Sequence, residues 1–136
     1  MDKVVVIGGS GFVGGHVVEE LTRRGYKVTV FDKVGCDQTS GGCELVLGDM
    51  LDLQALSKAV EKAKYVYHFG GVADIAQAKA NPLKSIEANV LGVATALEAC
   101  RSAKVDRFVY ASTVYVYSPY GSFYRASKQA AETLIE

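Results

Sequence analysis

Tyr124 and Lys128 stand four residues apart in Tyr124-Arg125-Ala126-Ser127-Lys128, a spacing that puts both on one face of a helix. A phenol ordinarily titrates near 10, so acting as a base near neutral pH asks its surroundings for roughly 3 units, or roughly 4 kcal/mol. A neighbouring ammonium supplies part of that by favouring the phenolate. The pair alone is common by chance. It gains meaning from Ser112-Thr113, whose hydroxyls can hydrogen-bond an oxygen that loses or gains a proton, although loop hydroxyls also cap turns.

A second constellation opens the chain. In Gly8-Gly9-Ser10-Gly11-Phe12-Val13-Gly14 the glycines fall at Gly8, Gly11 and Gly14, with Gly9 extra. Gly8 permits a tight turn, Gly11 lets backbone approach a pyrophosphate with no Cβ in the way, and Gly14 lets a helix and a strand pack closely. The helix that follows offers free N–H groups and a partial positive charge to the anion. Asp32 lies eighteen residues past Gly14, near the roughly 20 expected for an acid that binds an adenosine ribose. A carboxylate there repels a 2′-phosphate and so favours NAD over NADP. Lys33 beside it weakens that preference.

These residues need a scaffold, and strand-like and helix-like segments alternate along the whole chain. Val4–Ile7, a continuous β-branched run, suits a strand buried on both faces. Phe12–Arg24 follows as a helix with Val13, Val17, Val18 and Leu21 on one stripe and Gly25 closing it. Further strands are expected at Lys27–Phe31, Glu44–Leu47, Tyr65–Phe69 and Arg107–Ala111. Helices are expected at Asp52–Lys62, with Leu53, Leu56 and Val60 inward, and at Tyr124–Glu136. One long helix should run from Asn81-Pro82 to about Ser102, carrying Leu83, Ile86, Val90, Leu97 and Cys100, with Asn81 as its cap. Gly35–Gly42 reads as a polar loop. The alternation predicts an α/β, doubly wound parallel sheet of strand order 3-2-1-4-5, with ligand beyond the strands' carboxyl ends at the switch point. Residues 1–136 are expected to form one cofactor-binding domain.

Composition narrows the function. Lys plus Arg and Asp plus Glu balance at 15 each, leaving no basic field to recruit nucleic acid or an anionic membrane. No stretch approaches the roughly 18 apolar residues of a membrane span, and the apolar run after Met1 is too short for a signal peptide, so a cytoplasmic protein is expected. The three cysteines, Cys36, Cys43 and Cys100, have no framework spacing. Cys36 and Cys43 flank the Gly/Ser-rich loop and could approach one another; Cys100 is expected to be a small buried hydrophobe. No metal site is expected.

Taken together, these segments resemble the extended short-chain dehydrogenase/reductase family, in its NAD-dependent sugar epimerase/dehydratase branch. The likeness rests on the glycine turn, Asp32, Gly48-Asp49-Met50, His68-Phe69-Gly70-Gly71, Asn89-Val90-Leu91-Gly92, Ser112-Thr113 with Val116-Tyr117, and Tyr124 to Lys128 followed by Glu132. It implies a Rossmann fold and NAD as cofactor. It implies that Asp49 and Met50 contact the adenine, that Phe69, Gly70 and Gly71 line the adenosine and phosphate side, and that Asn89 reaches the cofactor from the long helix. Gly8, Gly11, Phe12, Val13, Gly14, Asp32, Lys33, Ser112, Tyr124 and Lys128 complete the cofactor set; Thr113, Tyr124 and Lys128 form the catalytic set. His68 is expected to be structural.

Three departures matter. Where family dehydratases carry Asp-Glu after the Thr, this chain has Val114 and Tyr115, which counts against a dehydratase. Ser118 replaces a glycine, and the Thr113-to-Tyr124 connection is short, so one wall of a sugar site must differ. The family is also roughly twice as long, so the chain is expected to stop before the substrate domain.

Two function classes follow. One is an NAD-dependent nucleotide-sugar epimerase acting by transient oxidation of a hydroxyl of a UDP- or dTDP-sugar, with a dehydrogenase or reductase as the variant. The other is an NAD-binding module without turnover; an NAD-sensing regulator on the same fold is a third. The resemblance further implies a homodimer packed through the long and last helices, for which Ala94, Leu97, Ala130, Ala131, Leu134 and Ile135 suit the interface.

Overall fold

Val4, Val5, Val6 and Ile7 have at most 1% of their surface exposed, as befits a strand covered on both faces. In a computed structural model, which describes residues 1–35, 42–71 and 75–136 (for Ile75 the backbone only), this is β1 (Lys3–Ile7) at the centre of a five-stranded sheet. β2 (Lys27–Asp32), β3 (Glu44–Leu47), β4 (Tyr65–His68) and β5 (Arg107–Tyr110) complete it in the order β3-β2-β1-β4-β5. All four pairings are parallel, with Ile7 opposite both Phe31 and His68 and with His68 opposite Tyr110. The register therefore brings the carboxyl ends of β1, β2, β4 and β5 to one edge. The expected order and class are observed.

One face of the sheet packs Val5, Ile7, Phe31 and Val66 against α2 (Leu53–Ala59) and α5 (Gly92–Ala103), through Leu56, Val60, Ala96, Ala99 and Cys100. The other packs Val4, Val6, Val28 and Val30 against Val18 and Leu21 of α1 (Phe12–Arg23). At roughly 2 kcal/mol for each fully buried aliphatic side chain, these two layers hold the strand ends that build the cleft. Gly25 (φ +88°) ends α1 as expected, its N–H bonding Thr22 O at 3.0 Å.

Several expectations change. Val13 is 55% exposed and Leu53 45%; both lie in a first turn, beyond the edge of the layer that α1 or α2 covers. Asn81 makes no capping bond with its side chain, although Pro82 does begin the helix. The single long helix is three segments: α4 (Pro82–Ile86), a π-turn at Glu87–Leu91, and α5. Leu83 (84%) and Ile86 (39%) face out, and the inward line runs through Ser85, Asn89, Gly92, Val93 and Ala96. Two elements were not anticipated, α3 (Ile75–Ala80) and a 3₁₀ turn at Val114–Tyr117, and the expected last helix, α6 (Ser122–Ile135), starts two residues early. Ala131, expected at a dimer interface, is 0% exposed within its own chain and cannot reach a partner. Cys100 is buried as expected, which pushes its thiol up to about 12. Cys36 and most of the Gly35–Gly42 loop lie outside the described residues.

A candidate dinucleotide cleft and its tyrosine–lysine pair

The glycine turn is built by close backbone contacts. Gly8 has φ +78°, and a Cβ on it would stand 2.6 Å from Gly70 N, so the end of β1 lies directly against the end of β4. A Cβ on Gly14 would stand 2.3 Å from Gly8 O and 2.9 Å from Gly9 Cα, which fixes α1 against the turn. Gly9 is not an extra glycine: its Cβ would meet Val30 Cγ1 at 2.8 Å and Val18 Cγ2 at 3.1 Å. The close packing of helix and strand expected of Gly14 is seen against the turn that ends β1, and Gly9 adds a second close contact between β2 and α1. Gly11, the N-cap of α1, offers no side chain to cap it, and no acidic residue stands in the first turn. The amino end of this 12-residue helix therefore presents N–H groups that a capping oxygen would otherwise take.

Two connected cavities run along the strand ends. The first, about 380 Å³, is lined by Asp32, Lys33, Gly48, Asp49, Met50, Gly70 and Gly71, among others. Asp32 accepts from Ser10 N at 3.0 Å and Lys33 N at 2.7 Å, which ties the carboxylate to the backbone at the cavity wall. At the mouth, Lys33 Nζ stands 3.6 Å from Asp49 Oδ2. Both side chains are well exposed, so this pair contributes little to stability. The second cavity, about 450 Å³, shares Gly8, Asp32, Gly70 and Gly71 with the first and adds Gly11, Phe12, Val13, Gly14, Phe69, Ser112, Tyr124 and Lys128. The glycine turn and the Tyr-Lys face, far apart in sequence, thus line one space.

Tyr124 and Lys128 are 9% and 8% exposed. Lys128 Nζ donates to Ala111 O at 2.9 Å and lies 5.9 Å from the centre of the Tyr124 ring. Burial pushes its ammonium down to about 8, so below that pH it carries charge beside the phenol. Tyr115 meets Tyr124 edge to face with ring centres 6.2 Å apart. Such a site can hold a phosphate-linked dinucleotide along the strand ends and manage a proton at the phenol.

Two expected site residues stand elsewhere. Thr113 borders neither cavity; its Oγ1 accepts from Tyr115 N at 3.4 Å, at the start of the 3₁₀ turn. Asn89 is 1% exposed, and its Nδ2 donates to Ser127 Oγ at 3.0 Å. Its Oδ1 lies under Gly71, 2.3 Å from where a Cβ would sit, so it supports the floor of the cleft. Ser112 Oγ, at the edge of the second cavity, donates to Glu132 Oε1 at 2.5 Å. His68 is 0% exposed and pushed down to about 4, chiefly by burial and then by Lys128, so it stays neutral as a core residue. Among the described residues, no group of three or more His, Cys, Asp or Glu is placed to hold a metal, and no helix is long and apolar enough to cross a membrane.

A family model described as "Epimerase: NAD dependent epimerase/dehydratase family" matches residues 4–136. The chain belongs to that family. The family is NAD-dependent. Over 124 residues the chain is 31% identical to UDP-glucose 4-epimerase of Rhizobium leguminosarum bv. trifolii, covering 85% of this chain and 37% of that enzyme. It is 35% identical over 115 residues to mouse sterol-4-alpha-carboxylate 3-dehydrogenase, decarboxylating, covering 84% of this chain and 30% of that one. The structure superposes on Thermus thermophilus UDP-glucose 4-epimerase complexed with NAD, with TM-score 0.89 and 31% identity, over 98% of this chain and 49% of that one. The chain thus spans from under a third to about half the length of these relatives.

Proposed function

We propose that this chain binds NAD and serves a UDP-glucose 4-epimerase-like reaction on a nucleotide sugar. The observation that carries the reading is the shared cavity: Gly8, Gly11 and Gly14, Asp32, Tyr124 and Lys128 all line it. The bare amino end of α1 would hold the pyrophosphate and Asp32 the adenosine ribose, with Asp49 and Met50 beside the adenine. Bound NAD would accept hydride from an alcohol carbon and give it back.

The chain's own part is to place and to move a proton. Tyr124, as its phenolate, would take the hydroxyl proton at its phenol oxygen and return it to the substrate oxygen when the hydride comes back. Lys128, held on Ala111 O, would keep positive charge beside that oxygen and anchor the nicotinamide ribose. Ser112 and Thr113 stand at the end of β5 to hydrogen-bond the substrate oxygen, Thr113 by leaving its bond to Tyr115 N. The sugar, a homodimer and a cytoplasmic location belong to the same proposal. Because the chain spans 37% of the Rhizobium enzyme, turnover is proposed for a polypeptide that also supplies the remainder, and cofactor binding for these residues themselves.

A second reading, a dehydrogenase acting on an apolar ring alcohol, draws support from residues 112–124. That stretch carries no charged side chain and exposes Tyr117 (89%), Val114 (77%) and Tyr120 (75%). Calorimetric titration with NAD and NADP tests the cofactor, with NAD expected to bind more tightly. Titration of the NAD-loaded chain with UDP-glucose, dTDP-glucose and a 3-hydroxysteroid separates the substrate readings. In a turnover-competent polypeptide, Tyr124→Phe should nearly abolish activity while NAD still binds; unchanged activity removes Tyr124 from the mechanism.

A further inference from the structure

Lys128 is a buried cation in an unusual setting. Among the described residues no carboxylate lies within ion-pair distance of it. An ammonium has three donors, and Ala111 O takes one at 2.9 Å. What faces the rest is an aromatic ring: the Nζ stands 4.8 Å from the centre of Tyr110, nearer than the 5.9 Å to Tyr124. At that range a ring face attracts a cation, and more strongly when water is excluded.

We propose that Tyr110 is the positioning residue of Lys128, its ring face and the Ala111 carbonyl together seating the ammonium beside Tyr124. Three further observations support this. Tyr110 is the last residue of β5, so the strand fixes the ring one position before the carbonyl that Lys128 bonds. His68, paired with Tyr110 in the sheet, braces the ring at 6.0 Å between centres. The Tyr110 hydroxyl is buried with no hydrogen-bond partner among the described residues, so the ring rather than the O–H is the part in use. Burial, and then Tyr124 and Glu132, push the Tyr110 phenol up, so it remains neutral. The titratable groups around the ammonium are accordingly His68 from β4, Tyr110 from β5 and Tyr124 from α6, with Glu132 of α6 acting on the Tyr110 phenol. The inference rests on the reading above only in giving Lys128 a task; the seat itself is a property of the chain.

The test follows the titration of Lys128 by ¹⁵N-lysine NMR in the 136-residue chain, with NAD affinity measured alongside. Tyr110→Leu should lower the Lys128 midpoint by about one pH unit and, by halving the charged fraction, weaken NAD about twofold at about pH 7. Tyr110→Phe, which keeps the ring, should restore both. A Leu variant that titrates like the parent, or a Phe variant shifted as far as the Leu one, overturns the proposal. If the Leu variant does not fold, phenylalanines of increasing ring fluorination at position 110 keep the shape while weakening the face. The midpoint should then fall stepwise with fluorine number, and the absence of that trend overturns the proposal equally. A parent chain that binds no NAD sinks the functional reading instead, since the titration reads the ring's hold on Lys128 without cofactor.

Discussion

Replacing Gly14 and Gly11 separately by alanine should divide what the glycine turn does for the fold from what it does for the ligand. At Gly14 the new Cβ would stand 2.3 Å from Gly8 O and 2.9 Å from Gly9 Cα, both backbone atoms. A carbon and a carbonyl oxygen ordinarily approach to about 3.3 Å, so the turn and α1 must part by roughly 1 Å. No rotamer relieves a backbone clash, which places the cost near the upper end of the ~1–3 kcal/mol range for overpacking. In a domain of this size that lowers the melting temperature by about 10 °C. It also withdraws the helix N–H groups from the pyrophosphate, and a loss of roughly 1.4 kcal/mol there weakens NAD tenfold. At Gly11 the nearest atom to a new Cβ is Gly8 O, at an ordinary 3.5 Å. The local φ of −78° and ψ of 178° suit any residue. Gly11→Ala should therefore melt as the parent does, yet its methyl stands on the cavity wall and should weaken NAD by at least about tenfold. Circular dichroism melts and calorimetric titration read both variants. A Gly14→Ala chain with parental melting and affinity refutes the steric reasoning; a Gly11→Ala chain with parental affinity removes the pyrophosphate from this turn.

Two pH dependences follow from the buried bases. Folded His68 titrates at about 4 instead of an ordinary 6.5, so on acidification the unfolded chain takes up this proton first. The stability it carries is complete above about pH 6.5 and falls by roughly 3 kcal/mol as the pH drops towards 4. Urea unfolding at about pH 7 and about pH 4.5 should show a steeper loss for the parent than for His68→Leu, and equal losses contradict the assignment. Lys128, at about 8 against an ordinary 10.5, loses its charge above about pH 8, so NAD affinity should decline between about pH 7 and 9.5. Over about pH 8–10.5 the unfolded chain holds this proton more tightly, so this group's contribution to folding stability rises with pH. An affinity that increases across that range contradicts the role given to Lys128.

The sheet order was legible because each signal for it is local and repeated: β-branched runs such as Val4–Ile7, helical stripes between them, and a glycine turn at the first crossover. The elements that were not legible break periodicity. Val114-Tyr115-Val116-Tyr117 alternates like a strand, yet Thr113 Oγ1 accepting from Tyr115 N turns it into a 3₁₀ turn. A single 3.6-residue stripe through Leu97 and Cys100 extends back to Leu83 and Ile86, but the wider π-turn at Glu87–Leu91 shifts the phase between the two segments, so the inward side before it is that of Ser85. The early start of α6 hangs on Gly121 (φ +113°) and Ser122 (φ +48°), a left-handed pair that composition does not announce. Within the site, residue types gave the glycine turn, Asp32 and the Tyr-Lys pair. They could not show that Gly9 shares the close helix–sheet packing with Gly14, that Asn89 is turned inward, or that Tyr110 lies under Lys128, because those are facts of packing between distant segments.

The irregular places lie around the cleft, and this has a physical reason. Tyr124 and Lys128 sit on α6, which reaches the cofactor side of the sheet only if something holds the helix there. Asn89, within the π-turn, faces inward: its Nδ2 donates to Ser127 Oγ of α6 while its Oδ1 lies under Gly71. Gly71 must lack a side chain for that approach and sits at φ +125°, where glycine alone is unstrained. From the far side Lys128 bonds Ala111 O and Ser112 bonds Glu132, each tying α6 to the end of β5. The helices α3, α4 and α5 also pack against α6, so the Asn89–Ser127 bond adds a buried polar tie to a helix already held by packing. One amide, Asn89, therefore couples the Gly71 floor of the cleft to the helix that carries Tyr124 and Lys128, so that truncating it should loosen both at once.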